Sequence, residues 1–344
     1  MQNTTAPPRE HLHALRGEMR ELIRAGGDWE AFALKVFRFQ CSYNLAYGEF
    51  VRLRGIEPAS VTDVADIPFL PVEIFQSHWV SVLEEGASVD RIFQSSGTTG
   101  QRRSQHVVDD LDWYDEVAWT GFERCMDASV NRKILALLPG YRAESSLIHM
   151  VRSFMDKCGQ SNLDSWFFMG EADQLQARLD ELASEPVMVI GVTHALLAWA
   201  DAMKDRNRPV HPDVEIIETG GMKGHGPERI RAEVHAALRS LTPSGRIGSE
   251  YGMTELLSQA WSQGEGRFVS PPWMQVRLGA LNDPGRWVEP GRQGRIHVVD
   301  LANLSSCAFL ATSDIGRQHP DNTFEVLGRF DHAEVRGCNL LTLE

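Results

Sequence analysis

Three stretches of this chain hold residue types able to work together on a charged ligand. FQSSGTTGQRRSQH, from Phe93 to His106, packs two serines, two threonines and two glycines into Ser95, Ser96, Gly97, Thr98, Thr99 and Gly100. Hydroxyl donors and a backbone lacking Cβ atoms can close on an anion, and a phosphate suits such a loop. Arg102 and Arg103 follow and could add charge to phosphate oxygens, although an ordinary turn has the same composition. GSEYGMTELLSQ then carries Tyr251, Thr254 and Glu255, and ATSDIG leads through Asp314 to GRFDHAEVRGCNLLTLE, with Arg329, Asp331 and a lone thiol at Cys338. Taken singly, Tyr251 reads equally as a core tyrosine, Glu255 as a capping acid and Asp314 as a turn residue. No Walker loop, G-x-G-x-x-G fingerprint or G-x-S-x-G elbow occurs.

The elements that must position these residues follow from periodicity. Leu12, Leu15, Met19, Leu22 and Ile23 lie at helical spacing after Pro7-Pro8, which predicts an amphipathic helix over 10–23. The chain reads helix-rich to about residue 90, with DIPFLPVEIF extended and punctuated by proline. Beyond it, the short apolar runs KILALLP, PVMVIGV, VEIIETGG and RIHVVDL alternate with EADQLQARLDELA and GPERIRAEVHAALRSL. That alternation predicts an α/β fold with a largely parallel sheet flanked by helices. The last third, with GRWVEPGRQGRIHVVDL and TFEVLGRFD, reads as antiparallel hairpins, a smaller β-rich part.

Composition bounds the partners. The 344 residues are 42% hydrophobic and 24% charged, as in a soluble globular protein, and the formal net charge of −13 would repel a nucleic-acid backbone. Neither a signal peptide nor an apolar run long enough to span a membrane is present, so a cytoplasmic location is expected. The five cysteines are odd in number, widely spaced and lack a C-x-x-C pair, which argues against a disulfide framework or structural zinc.

In order, the Ser/Thr/Gly loop, Y-G-x-T-E, an aspartate and G-R-x-D resemble the adenylate-forming superfamily of acyl-CoA synthetases, luciferases and peptide-synthetase adenylation domains. The resemblance implies that domain's α/β fold, ATP and Mg2+ as cofactors, and activation of a carboxylic acid as its acyl-adenylate. It also implies roles: Ser95 to Gly100 on the β- and γ-phosphates, Tyr251 on adenine, and Thr254 on the α-phosphate. Glu255 would bind magnesium, Asp314 the ribose hydroxyls, and Arg329 would lie near the ribose and the adenylate. Asp331 matches the hinge before the family's mobile C-terminal domain, which the sequence would then lack. The expected division is an adenylating domain over 1–330 and a hinge-like tail over 331–344. Two departures stand out: Gln101-Arg102-Arg103 replaces the usual proline and lysine, and the lysine of the C-terminal domain has no counterpart.

LLPGYRAESSLIHMV, ETGGMKGHG and GRFDHAEVRGCNLL narrow the resemblance to the acyl-protein synthetases of the bacterial luciferase fatty-acid reductase system. That family adenylates a fatty acid, passes the acyl group to a cysteine near its C-terminus and delivers it to an acyl-CoA-reductase-type partner. The matching cysteine is Cys338. A thiolate attacks an activated acyl group well and forms a thioester that stays reactive, and Arg336 alongside would depress its pKa. NLLTLE is also apolar enough to form a final strand that buries it. Gly220 and Gly221 allow close approach of a ligand, and Lys223 is the candidate replacement for the missing lysine. His149 and the pair Ser145-Ser146 are candidates to touch the acyl carboxylate. An acyltransferase is the other candidate delivery partner, and two alternatives stay open: transfer to an external amine, carrier-protein thiol or CoA, and a nucleotide-binding regulatory subunit without turnover.

Overall fold

The computed structural model describes residues 8–96, 102–127, 131–204, 210–220, 230–242, 245–281 and 283–329. The predicted first helix is α1 (Pro8–Ala25), slightly longer at both ends, with Leu12, Leu15 and Met19 on its buried face. Asp28 accepts from Ala31 N and caps α2 (Trp29–Tyr43), and Asn44 ends α2 while capping α3 (Leu45–Leu53) through Tyr47 N. Buried amides then fasten this helical start to a distant loop. Gln40 Nε2 donates to Asn303 O at 2.9 Å and Gln40 Oε1 accepts from Ala308 N at 2.9 Å, while Asn44 Nδ2 donates to Ser306 O at 3.0 Å. DIPFLPVEIF is extended only briefly, as β1 (Leu70–Pro71). It then turns into a 3-10 helix at Val72–Gln76, because its prolines withhold the donors a longer strand needs.

The Ser/Thr/Gly segment joins β2 (Arg91–Gln94) to β3 (Gln105–Val108), an antiparallel hairpin. After α4 (Leu111–Met126), capped by Asp110, come β4 (Lys133–Leu137), α5 (Ser146–Lys157), α6 (Ala172–Glu181) and β5 (Val187–Val192). Next follow α7 (Thr193–Ala202), β6 (Val214–Thr219), α8 (Arg231–Leu238), β7 (Ile247–Tyr251) and β8 (Ala260–Ser262). Strands β4 to β7 lie side by side in chain order, all parallel, and β8 closes the edge antiparallel. Every residue of β5 and β7 is buried, as expected for a parallel sheet covered by helices.

The remaining strands are β9 (Met274–Ala280), β10 (Asp283–Trp287), β11 (Gln293–Asp300), β12 (Phe309–Gln318) and β13 (Phe324–Arg329). They pair antiparallel with one another, as expected from the sequence, in a sheet of order β1-β12-β11-β9-β10 with β13 also beside β12 and β1 parallel to β12. One short bridge connects the two sheets near the motifs. Val269 pairs with Trp261 of β8, and its neighbour Phe268 exchanges backbone hydrogen bonds with Phe324 of β13 at 2.7 and 3.0 Å. The end of β7 is thereby brought beside the β12–β13 pair.

Candidate active site

The root of the Ser/Thr/Gly loop is closed. Ser95 N donates to Ser104 O at 3.1 Å and Ser104 N to Ser95 Oγ at 3.0 Å, so the two serines extend the hairpin before the loop opens. Ser95 is half-buried and Ser96 exposed; Gly97, Thr98, Thr99 and Gly100 lie outside the described residues. Arg103 stands 3.8 Å from Glu144, which also takes Arg142 at 3.0 Å.

Ser104 links this root to Glu255 by a side-chain hydrogen bond. The Glu255 carboxyl is buried, and burial holds its pKa above the usual range, partly offset by Ser104 and by the charge of Arg329. Among the described residues no lysine or arginine forms an ion pair with it, nor does any group of three metal-ligating side chains occur. The loop around Glu255 is fixed from beneath. Asn303 Nδ2 donates to Glu255 O at 2.9 Å, and Asn303 Oδ1 meets His106 Nε2 at 3.1 Å. Asp300 accepts from Leu257 N and Ser258 N, each at 2.8 Å. His106 is fully buried and desolvation pushes it down to about 4, so it serves as a neutral imidazole. Thr254, half-buried, precedes Glu255 in the same turn.

At the other end, the β12–β13 register sets Asp314 opposite Arg329. Asp314 Oδ2 accepts from the Tyr251 hydroxyl at 2.9 Å, and Oδ1 lies 3.6 Å from Arg329 Nε. Burial raises the Asp314 pKa, with Arg329 and Tyr251 working against it. Burial likewise lifts the Tyr251 phenol well above its usual value, reinforced by the Asp314 charge. The Tyr251 ring is 7% exposed and packs on Phe268 and Phe324, with centroids 5.9 and 5.5 Å away. The Arg329 side chain is 86% exposed, and its charge acts on Glu255, Asp314 and Tyr251 together. Residues of two sequence motifs, Tyr251 with Glu255 and Asp314, therefore converge on the guanidinium of a third.

A further wall adjoins the site on the α4–α5 side. The His149 ring lies 5.5 Å from both Phe93 and Tyr114, and its Nε2 is 3.0 Å from Asp115 Oδ1. The Tyr114 hydroxyl donates to Ser146 O at 3.3 Å, and Gln94 N to Glu144 O at 2.8 Å joins this region to the loop root. A Cβ at Gly252 would stand 2.3 Å from Glu250 Oε1, so a larger residue there would require the Glu250 carboxyl to move. Gly220 takes φ +71 as β6 ends, and its carbonyl accepts from the Thr193 hydroxyl at 2.6 Å.

The structure brings together Ser95, Tyr251, Glu255, Asp314 and Arg329, with Thr254 in the same turn. Gly221, Lys223, Asp331, Arg336 and Cys338 lie outside the described residues. Burial raises the thiol pKa of Cys41 and Cys125 to about 12 and raises those of Cys158 and Cys307, so these four favour the unreactive thiol. The sequence reading did not single out His106, Ser104, Asn303 or Asp300. Of these only His106 and Ser104 had a local signal, adjacency to the loop.

No family model matches the chain, and no curated protein matches it. Solved structures do. A 2-hydroxyisobutyryl-CoA ligase in the postadenylation state, in complex with R3-HIB-AMP, superposes with a TM-score of 0.64 at 10% identity, over 88% of this chain and 68% of that one. An ATP-bound RpMatB–BxBclM chimera gives 0.51 at 18% identity, over 69% and 47%. The O-succinylbenzoate coenzyme A synthetase MenE from Bacillus subtilis, in complex with AMP, gives 0.50 at 16%, over 70% and 50%. The chain thus has the α/β fold found in these structures, and its match spans about half the length of the chimera and of MenE. No helix of the described residues is long and apolar enough to cross a membrane.

Proposed function

We propose that this protein uses ATP to activate a carboxylic acid as its acyl-adenylate and then passes the acyl group to the thiol of Cys338. The observation that carries the first half is the convergence of Glu255, Asp314 and Tyr251 on Arg329 beside the root of the Ser/Thr/Gly loop. An acid and a triphosphate repel each other, so the site must bring two anions together and stabilise the charge of the departing pyrophosphate. Donors from the loop suit the β- and γ-phosphates. Asp314, an acceptor in a buried setting, suits the ribose hydroxyls, and Arg329, exposed and adjacent, suits the bridging phosphate.

Glu255 fits a magnesium ion. It is a buried carboxylate whose charged form is penalised by burial, and a divalent cation would remove that penalty. When bound, magnesium would neutralise phosphate charge. In the first step a carboxylate oxygen of the acid attacks the α-phosphorus, the bond to the bridging oxygen breaks and pyrophosphate leaves. In the second the Cys338 thiolate attacks the acyl carbon, AMP leaves with the bonding electron pair, and the thiol proton passes to solvent. The raised pKa values of the four described cysteines support Cys338 as the acceptor. Delivery of the thioester to a reductase or transferase partner follows from the resemblance to acyl-protein synthetases, as does a fatty acid as substrate.

The likeness to CoA ligases favours a second reading, release of the acyl group to an external thiol such as CoA. One experiment separates the two: pyrophosphate release across a panel of acids, with intact-mass analysis of the protein before and after Cys338→Ser. Self-acylation predicts an acyl adduct that disappears in the variant while pyrophosphate release persists. Survival of the adduct removes Cys338 as the acceptor, and absence of acid-dependent pyrophosphate release removes adenylation altogether.

A further inference from the structure

The candidate site is split between two sheets, so its halves have to be held in register. Tyr251 ends β7 of the parallel sheet, with Thr254 and Glu255 just beyond it, whereas Asp314 and Arg329 stand on β12 and β13 of the other sheet. Arg329 depends most on that register, because a side chain 86% exposed takes its position from its strand. Arg231, the first residue of α8, lies across the seam. Its Cζ stands over the Phe268 ring, 4.8 Å from the centroid, and Phe268 in turn stacks on Phe324 of β13 at 5.4 Å and packs on Tyr251. From that platform Arg231 Nε donates to Glu218 Oε2, near the end of β6, and Nη1 donates to Val326 O of β13, each at 3.4 Å. Either bond alone is long and weak, but the stacked ring fixes the plane of the fork that makes both. Arg329 is three residues beyond Val326, about 10 Å along the strand.

Arg231 stands against the preference of its own helix. A cation in the first turn opposes the macrodipole, and overridden local preferences of this kind concentrate at functional positions. Its carboxylate partner, Glu218, is 4% exposed and also accepts the Thr193 hydroxyl at 2.6 Å, so a cation beside it offsets the cost of a buried charge. A lysine would do that as a point charge; reaching Val326 O at the same time while lying flat on an aromatic ring calls for a planar, forked guanidinium. We propose that Arg231 is a positioning residue for ATP binding: it ties β13 to the parallel sheet and so places Arg329 at the phosphate of the nucleotide. This rests on the adenylation reading and adds to it a residue that acts through Arg329 rather than on the nucleotide itself.

Arg231→Lys separates positioning from charge balance. It keeps a cation beside Glu218 and gives up the second arm, so urea unfolding should stay close to wild type while the Kd for ATP, measured by calorimetry on the full chain, rises about tenfold. The double variant Arg231→Met/Glu218→Gln removes both charges together; it should show the same loss of affinity, and it decides the matter should the lysine variant not fold. Coupling to Arg329 is the readout that a merely structural role would not move. In an Arg329→Gln background the Arg231 substitutions should change the Kd by less than about twofold, because the group they misplace is already gone. An ATP affinity unchanged in the folded Arg231 variants, or a loss by the same factor with and without the Arg329 side chain, overturns the assignment while leaving adenylation standing. If the wild-type protein neither binds ATP nor releases pyrophosphate with any acid, the adenylation reading itself fails, and this inference with it.

Discussion

Asp314→Asn separates the proposed nucleotide-binding role of this side chain from its contribution to folding, because the two effects have opposite signs. In the folded protein the carboxylate is 9% exposed and accepts from Tyr251 at 2.9 Å, while its cation, Arg329, is 3.6 Å away on an 86% exposed side chain. An attraction to so exposed a partner is screened to about 1 kcal/mol at most. Burial outweighs it, since the folded-state pKa is raised. Asparagine keeps an acceptor for the Tyr251 hydroxyl and removes the charge. The variant is therefore expected to be more stable at neutral pH by about 1 kcal/mol, read by urea unfolding. The pH dependence has a definite direction. A carboxyl whose folded pKa exceeds its unfolded value binds a proton more readily when folded, so the wild type gains stability as pH falls through the folded pKa. The advantage of the variant should shrink on acidification and vanish once Asp314 is protonated.

ATP binding should move the other way. A carboxylate accepting ribose hydroxyls makes hydrogen bonds worth about 1.5–3 kcal/mol, so the neutral amide should raise the KM for ATP by roughly 10- to 100-fold. The proposed contact would be the same before and during the reaction, so kcat should change far less. An unchanged KM for ATP in a folded, stabilised variant would refute the placement of Asp314 at the ribose. Destabilisation by more than about 2 kcal/mol would instead show that the charge holds β12 and β13 together, contrary to the energetics argued from its burial.

Glu255→Gln removes the proposed magnesium ligand and a buried charge together; kcat should fall by at least about 100-fold while the protein becomes no less stable, and full activity in the variant would exclude Glu255 as the ligand. Tyr251→Phe deletes the hydroxyl that donates to Asp314, which should cost about 1 kcal/mol in urea unfolding and raise the KM for ATP only severalfold. For His106 the sign is that of a histidine buried neutral: with a folded pKa of about 4, its stabilising contribution is complete above its unfolded pKa and is lost as pH falls toward 4. His106→Gln should accordingly reduce the loss of unfolding free energy between pH 7 and pH 5 by about 2 kcal/mol, and an unchanged pH slope would count against this histidine as the acid-sensitive group.

Much of the architecture was legible because burial leaves a pattern in the sequence. β5 is buried along its whole length, so VMVIGV appears as an unbroken apolar run. α1 shows one apolar stripe because only one side packs. DIPFLPVEIF was less legible, since a strand of two residues followed by a 3-10 turn has no period to detect. The site divides in the same manner. Tyr251, Glu255, Asp314 and Arg329 were singled out because they stand in short strings that, taken in order, resemble the motifs of a known family. His106, Asn303 and Asp300 were not, because their work is to hold other residues through single hydrogen bonds from chain positions up to 197 residues apart. Such contacts arise only when the sheets pack, and nothing in the local sequence announces them.

The arrangement of charge is compatible with the proposed binding of a nucleotide although the chain is strongly acidic. Glu255 and Asp314 are both buried, and both have their charged forms penalised by burial, which stores a preference for incoming cations or hydrogen-bond donors. Arg329 is the cation that reaches both, and its exposure leaves it free to turn from the carboxylates toward a phosphate. A nucleotide with its magnesium would satisfy all three groups at once: the metal at Glu255, the hydroxyls at Asp314 and the phosphate at Arg329. Removing the Arg329 charge should therefore weaken ATP binding and also raise the pKa values of Glu255 and Asp314 further, which makes the three residues one electrostatic unit rather than three independent contacts.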